Sequence, residues 1–192
     1  MSEFDQQLFF AINNGWKSGF SDLWLGYATW LGYGWITFPL GVLCLVLLNR
    51  RQWKTNLLAF VAAGIVGGVA LNLLKVAVHS PRPLDLFRPD ILAGRVYINV
   101  MFEPLYANSF PSGHTQTIFT VATVLAWASA RARKLNFWCG TAIFVVAVIV
   151  GLSRIYCGAH FPSDVVGGAV LGSGTAFGCC YVVGRIKTKK AG

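Results

Sequence analysis

The chain has 192 residues, a length that suits a single domain, and 55% of them are hydrophobic while only 12% are charged. Because a typical soluble domain has about 25% charged residues, this composition and a mean hydropathy of +0.58 exclude a disordered chain and argue against a soluble globular one. The formal net charge of +9 would suit nucleic-acid binding, but the basic residues are clustered between apolar runs, as in the loops of membrane proteins, so we expect a membrane protein that binds no nucleic acid.

The predicted elements are all helical. Residues 1–20 form an N-terminal interfacial segment, with an amphipathic helix over 4–16 lying in the membrane surface. Residues 21–49 form either one bent span or two partial ones, with a bend favoured at Gly32 and Gly34. A span needs about 20 apolar residues, and four later runs qualify or nearly do: 55–78, 112–130, 135–153 and 164–184. The sequence thus predicts an all-α fold, a polytopic transmembrane helical bundle of five to six spans plus the interfacial helix, in a single domain over residues 1–192.

Three clusters of basic residues fix the expected topology. None of the seven acidic residues lies within or beside these clusters, which occupy residues 50–54, 131–134 and 185–190. Positive charge marks cytoplasmic loops, so we place all three clusters, including a basic tail at 185–192, in the cytoplasm. Two runs lie between each successive pair of clusters. The segments that join those runs, 79–111 and 154–163, are therefore expected on the opposite face.

Three of the cations in or beside these joining segments lie close to the ends of apolar runs, namely Lys75, Arg82 and Arg154. Ionisable side chains at membrane depth are costly and point to function, and cations without a matching number of carboxylates call for an anion. Arginine suits the oxygens of phosphate in particular. Ser112 and Gly113 open a predicted helix, whose free backbone N–H groups and dipole also favour an anion. These five residues predict a phosphate-binding site.

Two histidines give that site a chemistry. His160 and Asp164 are four positions apart, so the carboxylate can reach the imidazole, fix its tautomer and leave the other nitrogen to attack phosphorus. His114 beside the helix start can protonate the leaving oxygen and then activate water. This scheme needs no metal, and since the acidic residues show no diagnostic ligand spacing, we expect neither a metal nor another cofactor. Taken singly, each residue also fits a structural role such as a helix anchor or N-cap; what favours a site is that all of them emerge on one face.

Three motifs resemble the signature of the type 2 phosphatidic acid phosphatase superfamily. They are Lys75-x6-Arg82-Pro83, Pro111-Ser112-Gly113-His114 and Ser153-Arg154-x5-His160-x3-Asp164, and the resemblance covers about residues 70–170. It implies that His160 is the nucleophile that forms a phosphohistidine, with Asp164 as its partner and His114 as the general acid. It further implies that the phosphoryl group is bound by Lys75, Arg82, Ser112, Gly113 and Arg154.

The resemblance also implies an activity. It fits the small bacterial members, which are integral membrane hydrolases of lipid phosphates or diphosphates, with the active site on the periplasmic face of the inner membrane. Candidate substrates are phosphatidylglycerophosphate, undecaprenyl diphosphate, lipid A 1-phosphate and phosphatidic acid, and the loop 83–110 is expected to help to choose among them. The alternatives are a lipid phosphotransferase that uses the same site, a vanadate-dependent haloperoxidase, and a membrane protein that binds phosphate without turning it over. The oligomeric state is left open.

Overall fold

The computed structural model describes residues 1–48, 50–132 and 137–189, and every regular element in these ranges is a helix. The all-α prediction is therefore confirmed for the described residues. Arg133, Lys134 and Lys190 of the predicted basic clusters lie outside them, as does Asn49. In chain order the elements are α1 (Glu3–Asn13), α2 (Gly19–Ala28), a 3₁₀ helix (Thr29–Gly32), α3 (Gly34–Leu48), α4 (Trp53–Val78), α5 (Pro83–Leu86), α6 (Arg88–Leu92), α7 (Gly113–Ala132), α8 (Phe137–Tyr156) and α9 (Pro162–Lys189).

Helix α7 is the centre of the bundle and packs against α3, α4, α8 and α9. Its buried residues Val121 and Val124 join Leu45, Phe60 and Ala176 of the surrounding helices in one apolar core. The same helix also carries buried polar side chains, and their hydrogen bonds stay within the bundle. A helix that is enclosed by protein can hold such residues, whereas a helix in contact with lipid cannot do so cheaply.

Close helix contacts in the bundle depend on glycine, as small residues do in membrane helices generally. On α9, a Cβ added to Gly172 would lie 2.3 Å from the carbonyl oxygen of Gln116. On α4 it is Gly67 that faces α7, because its Cβ would lie 2.4 Å from Gln116 Nε2, whereas Gly68 has no atom within 4 Å. Gly64, one turn before Gly68, faces α3, because a Cβ there would lie 3.1 Å from the Phe38 ring.

The segment before α4 is a broken helix pair. The stretches Gly19–Gly32 and Gly34–Leu48 meet at an angle of 72°, and Tyr33 between them is extended. The Thr37 hydroxyl donates hydrogen bonds to the carbonyl oxygens of Leu31 and Tyr33 and so holds the joint. The break lies at the glycines where the sequence favoured a bend.

Two stretches of the described chain are long and apolar enough to cross a bilayer, Trp53–Leu92 and Pro162–Lys187, and the broken pair makes a third if it counts as one span. Helix α8 contributes a shorter apolar stretch, Gly140–Tyr156. Helix α7 is not among these stretches, and it carries buried polar residues such as Thr115, Gln116 and Thr120. Length and composition thus support two to three spans, and the count of five to six remains a prediction.

Helix α1 is tied to the bundle at the end where α8 finishes and α9 starts. The buried amide of Asn13 donates hydrogen bonds to the carbonyl oxygens of Asn99 and Tyr156, at 3.0 and 2.7 Å. Asp5 accepts hydrogen bonds from the backbone N–H and the hydroxyl of Ser163, at 2.9 and 2.7 Å, in the first turn of α9. These contacts fix the loop between α8 and α9, which contains the predicted nucleophile.

Candidate active site

One end of the bundle brings together the C-terminal ends of α4 and α8, the N-terminal ends of α7 and α9, and the 3₁₀ helix. Most of the residues that the sequence singled out lie here and are buried: Arg82, Ser112, Arg154, His160 and Asp164. His114 and Lys75 lie at the same end, in the first turn of α7 and the last turn of α4. Side chains from four separate chain segments thus form one polar cluster below the loops.

His160 and Asp164 form the innermost pair. His160 Nδ1 lies 3.5 Å from Asp164 Oδ2, and the two side chains are 3% and 0% exposed. The same carboxylate oxygen accepts hydrogen bonds from the Phe161 N–H at 2.8 Å and from the Ser109 hydroxyl at 2.5 Å. Ser109 Oγ is also 3.4 Å from His160 Nδ1. Nδ1 faces the carboxylate and the hydroxyl, so Nε2 is the ring nitrogen that does not contact them and can interact with another group.

Arg82 stands on the Nε2 side of that imidazole. Its Nη1 is 3.4 Å from His160 Nε2 and donates a hydrogen bond to the carbonyl oxygen of Ala159 at 2.9 Å. Its Nε donates to the carbonyl oxygen of Ala107 at 2.8 Å. Two backbone acceptors therefore hold the guanidinium against the imidazole, where an anion bound to Arg82 would also meet Nε2.

Arg154 is held from the opposite direction. It lies in the last turn of α8 and is 6% exposed. Its Nη1 donates a hydrogen bond to the Thr29 hydroxyl at 2.6 Å, while its Nε is buried and has no hydrogen-bond partner. The guanidinium therefore keeps donor capacity for a ligand.

Lys75, Ser112 and Gly113 occupy the edges of the cluster. The Lys75 ammonium donates a hydrogen bond to the carbonyl oxygen of Asn108 at 2.5 Å. The N–H of Ser112 donates to the backbone carbonyl of Asp164 at 2.9 Å, which joins the start of α7 to α9. Gly113 begins α7, and a Cβ there would come no closer than 3.4 Å to its neighbour, so packing gives no reason for glycine at this position.

His114 faces a cavity of about 500 Å³ that it lines together with Arg154 and Glu103. Its ring meets the Tyr33 ring edge to face, with centroids 4.5 Å apart. His114 Nε2 is buried and has no hydrogen-bond partner. A buried polar atom without a partner is costly, so this nitrogen, like Arg154 Nε, is available to hydrogen-bond a group in the site. The remaining lining residues are Trp30, Tyr33, Leu84, Val100, Phe102, Leu105, Cys157, Gly158 and Ala159.

Burial shifts the ionisation of the loop residue His160 in the direction that a nucleophile needs. Desolvation lowers its pKa from 6.5 to about 4; the contact with the Asp164 carboxylate opposes that shift, and the charges of Arg82 and Arg154 add to it. A lowered pKa means that the imidazole is neutral at every pH above about 4. It therefore keeps a free electron pair on one nitrogen at neutral pH.

This ionisation can be measured directly, because the chain contains three histidines. In protein labelled with ¹⁵N-histidine, the ring signals of His160 are expected to stay those of neutral imidazole through the ordinary pKa near 6.5 and to change only near pH 4. The signals are assigned by their absence in a His160→Gln variant. A midpoint at 6.5 or higher would contradict the buried, neutral state.

Among the described residues, no group of three or more His, Cys, Asp or Glu side chains is arranged to hold a metal ion. The structure also brings in two side chains that sequence reasoning missed, Ser109 and Thr29. Ser109 lies three positions before Ser112, so its nearness to the motif was a usable signal. Thr29 lies 125 positions from Arg154, and nothing in the local sequence connects the two.

Comparison with known proteins places this geometry in context. The family model described as the PAP2 superfamily matches residues 54–187. The chain is 31% identical over 147 residues to an undecaprenyl-diphosphatase of Sulfolobus acidocaldarius, a match that covers 76% of this chain and 61% of the relative. It is 32% identical over 113 residues to a lipid A 1-phosphatase of Rhizobium johnstonii, covering 57% of this chain and 40% of the relative. The chain thus spans less than two thirds of the length of these curated relatives.

Among solved structures, the fold resembles the crystal structure of Aquifex aeolicus LpxE. The TM-score is 0.72 at 30% sequence identity, and the match covers 93% of this chain and 95% of that chain. Unlike the family model, this structural match includes most of the N-terminal third of the chain.

Proposed function

The chain belongs to the PAP2 superfamily, and on that premise we propose that it is an integral membrane phosphatase that hydrolyses a lipid phosphate or diphosphate through a phosphohistidine. The observation that carries the proposal is the buried His160, with Nδ1 3.5 Å from Asp164 and Nε2 3.4 Å from the Arg82 guanidinium. A neutral imidazole in this setting has one nitrogen oriented by a carboxylate and the other next to an anion-binding cation. That arrangement serves attack on phosphorus.

The first step forms a bond between His160 Nε2 and phosphorus and breaks the bond from phosphorus to the leaving oxygen. The Asp164 carboxylate faces the Nδ1–H group of His160, accepts from it, and stabilises the positive charge that develops on the imidazole. Arg82 and Arg154 stabilise the charge on the non-reacting phosphoryl oxygens. Lys75, the Ser112 hydroxyl and the backbone N–H of Gly113 complete the phosphate site.

His114 gives a proton to the leaving oxygen in the first step. In the second step Nε2 of His114 removes a proton from a water molecule. The water oxygen attacks the phosphorus of the phosphohistidine, the bond from phosphorus to His160 breaks, and inorganic phosphate is released. The free Nε2 of His114, beside the cavity that it shares with Arg154, supports this role. The scheme uses no metal, so hydrolysis is expected to persist in chelator.

The position of the site supports a periplasmic active site in a bacterial inner membrane. The site residues lie at the C-terminal ends of α4 and α8 and the N-terminal ends of α7 and α9. The basic residues Lys54, Arg131 and Arg185 lie near the other ends of α4, α7 and α9. Since positive loops stay in the cytoplasm, the site faces away from it, and the loop 79–111 covers it from the outside in a single domain.

The cavity wall favours a leaving group that carries hydrogen-bond donors. Among the described residues that line it, Arg154 is the only Lys or Arg and Glu103 the only Asp or Glu. A carboxylate accepts hydrogen bonds and cannot donate them, so Glu103 matches a hydroxyl group and repels a second phosphate. The substrate is thus a phosphomonoester with a hydroxylated head group, phosphatidylglycerophosphate or lipid A 1-phosphate, in preference to undecaprenyl diphosphate or phosphatidic acid.

A head-group panel tests the proposal. Phosphate release is measured for the four lipids in matched detergent, with chelator and with no acceptor lipid. Release in this assay supports hydrolysis over transfer to a second lipid, whereas no release from any of the four would contradict the proposed activity.

Replacing Glu103 by glutamine is expected to change the preference within that panel. Removing the negative charge should raise kcat/KM for undecaprenyl diphosphate by about threefold to tenfold, since the repulsion of the second phosphate is lost. Activity on phosphatidylglycerophosphate should fall by about threefold, since one charged acceptor becomes neutral. The matched control is Asp85→Asn at an exposed carboxylate that does not line the cavity. An unchanged ratio, or a change in the opposite direction, would show that Glu103 does not select the substrate.

A further inference from the structure

We infer that the broken helix pair Gly19–Leu48, which precedes the family-matched residues 54–187, is a working part of the active site that positions Arg154 and His114. The inference rests on the proposed function, because it assigns new positioning residues, Thr29 and Gly32, to that same site. Two contacts carry it, and they come from neighbouring residues at the joint of the pair.

The first contact orients Arg154. The Thr29 hydroxyl, 1% exposed, accepts a hydrogen bond from Arg154 Nη1 at 2.6 Å. The described residues contain no salt bridge to Arg154, and its Nε has no partner. A guanidinium binds phosphate through a planar fork of donors, so an acceptor on one Nη sets the plane in which the remaining donors lie. Thr29 therefore fixes the orientation of the fork without touching the phosphate.

The second contact confines His114. A Cβ added to Gly32 would lie 2.6 Å from both Cβ and Cδ2 of the His114 side chain. The Tyr33 ring packs edge to face against the same imidazole. The 3₁₀ helix thus passes so close that only glycine fits, and the imidazole rests between Gly32 and Tyr33. Because the Cβ of His114 sits close to the backbone, it cannot swing away as the tip of a long side chain would.

These two contacts act together because they share one joint. Thr29, Gly32 and Tyr33 lie within five consecutive residues at the 72° bend, and Thr37 ties the start of α3 to that joint. A displacement of the bend therefore moves the support of a phosphate-binding cation and the support of the proposed general acid at once. This gives the broken geometry a role that a straight helix at this place would not fill.

Replacing Gly32 by alanine tests the second contact. The added methyl group forces His114 to shift, and displacing a catalytic group by about 1 Å costs about 100-fold, so kcat should fall by about 30-fold or more while KM changes little. Gly19→Ala is the matched control. Gly19 lies in the same helix pair, and a Cβ there would meet nothing within 4 Å. Equal activity of the two variants, within about twofold of wild type, would overturn this part of the inference.

Replacing Thr29 tests the first contact. Thr29→Val keeps the shape and removes the acceptor, so kcat/KM should fall by about tenfold, whereas Thr29→Ser keeps a hydroxyl and should stay within about threefold of wild type. In an Arg154→Lys background, Thr29→Val should cost little more, because the two residues act as one unit. Full additivity of the two losses, or equal losses in the valine and serine variants, would show a merely structural role.

Orthovanadate and inorganic phosphate separate this inference from the proposed function. Vanadate mimics the transferring phosphoryl group, and its inhibition constant should rise in Thr29→Val in parallel with the loss of kcat/KM, with an unchanged melting temperature. If the wild type hydrolyses none of the lipids, the proposed function fails. The binding of phosphate, measured by calorimetry, then still tests whether Thr29 of the broken helix pair positions Arg154. Weaker phosphate binding in Thr29→Val than in Thr29→Ser supports it, and equal binding refutes it.

Discussion

Replacing His160 by alanine is expected to lower lipid phosphate hydrolysis by about four orders of magnitude or more, the usual cost of deleting a nucleophile that works with its partners as a unit. The imidazole is buried and lies between Asp164 and Arg82. No other described histidine has one ring nitrogen beside an arginine and the other beside a carboxylate. The measurement is phosphate release from the best lipid of the panel, with the wild type in the same detergent.

Two further measurements distinguish the loss of a nucleophile from a general loss of folding or substrate binding. Wild-type protein quenched during turnover of a lipid with labelled phosphate should retain acid-labile, base-stable label, and the His160 variants should not. His160→Gln accompanies the alanine variant, so that a fold defect from an emptied buried position is recognised by melting temperature. His79→Asn is the matched control, because asparagine tolerates the left-handed backbone that His79 adopts at the end of α4. Hydrolysis in His160→Ala within 100-fold of wild type would remove this residue as the nucleophile.

The sequence predicted the helical fold and the family because both depend on local patterns. Apolar runs of spanning length and the lack of charge predict membrane helices from composition alone, and the family model confirms the resemblance. The four-residue spacing of His160 and Asp164 predicted their contact for a similarly local reason, since a helical turn or a compact bend can bring side chains four positions apart together. The structure places these two side chains 3.5 Å apart.

Other features depend on contacts between segments that are far apart in the chain. Spacing and composition do not predict which of these distant side chains meet. The hydroxyl of Ser109 reaches Asp164 across 55 positions, and that of Thr29 reaches Arg154 across 125. The span count is open for a related reason. Helix α7 has the length of a span but carries buried polar groups, because it is surrounded by other helices, and hydropathy alone does not distinguish lipid contact from protein contact.

Replacing Arg154 by lysine, which retains the charge, is expected to lower kcat/KM by about 100-fold to 1,000-fold, the cost of losing one preorganised donor to the transition-state charge. A lysine ammonium is a point charge on a flexible stem and cannot bond Thr29 and two phosphate oxygens from a fixed plane, as the guanidinium can. The loss should appear mainly in kcat, and the vanadate inhibition constant should rise with it.

The control for this substitution is Arg95→Lys, the same change at an arginine that pairs with Asp90 on the surface, with its side chain 64% exposed. Surface pairs of this kind contribute about 1 kcal/mol at most, so turnover should stay within about twofold of wild type. Near wild-type turnover in Arg154→Lys would mean that charge alone is sufficient at this position. The planar fork, and with it the hydrogen bond that Arg154 donates to Thr29, would then have no catalytic role.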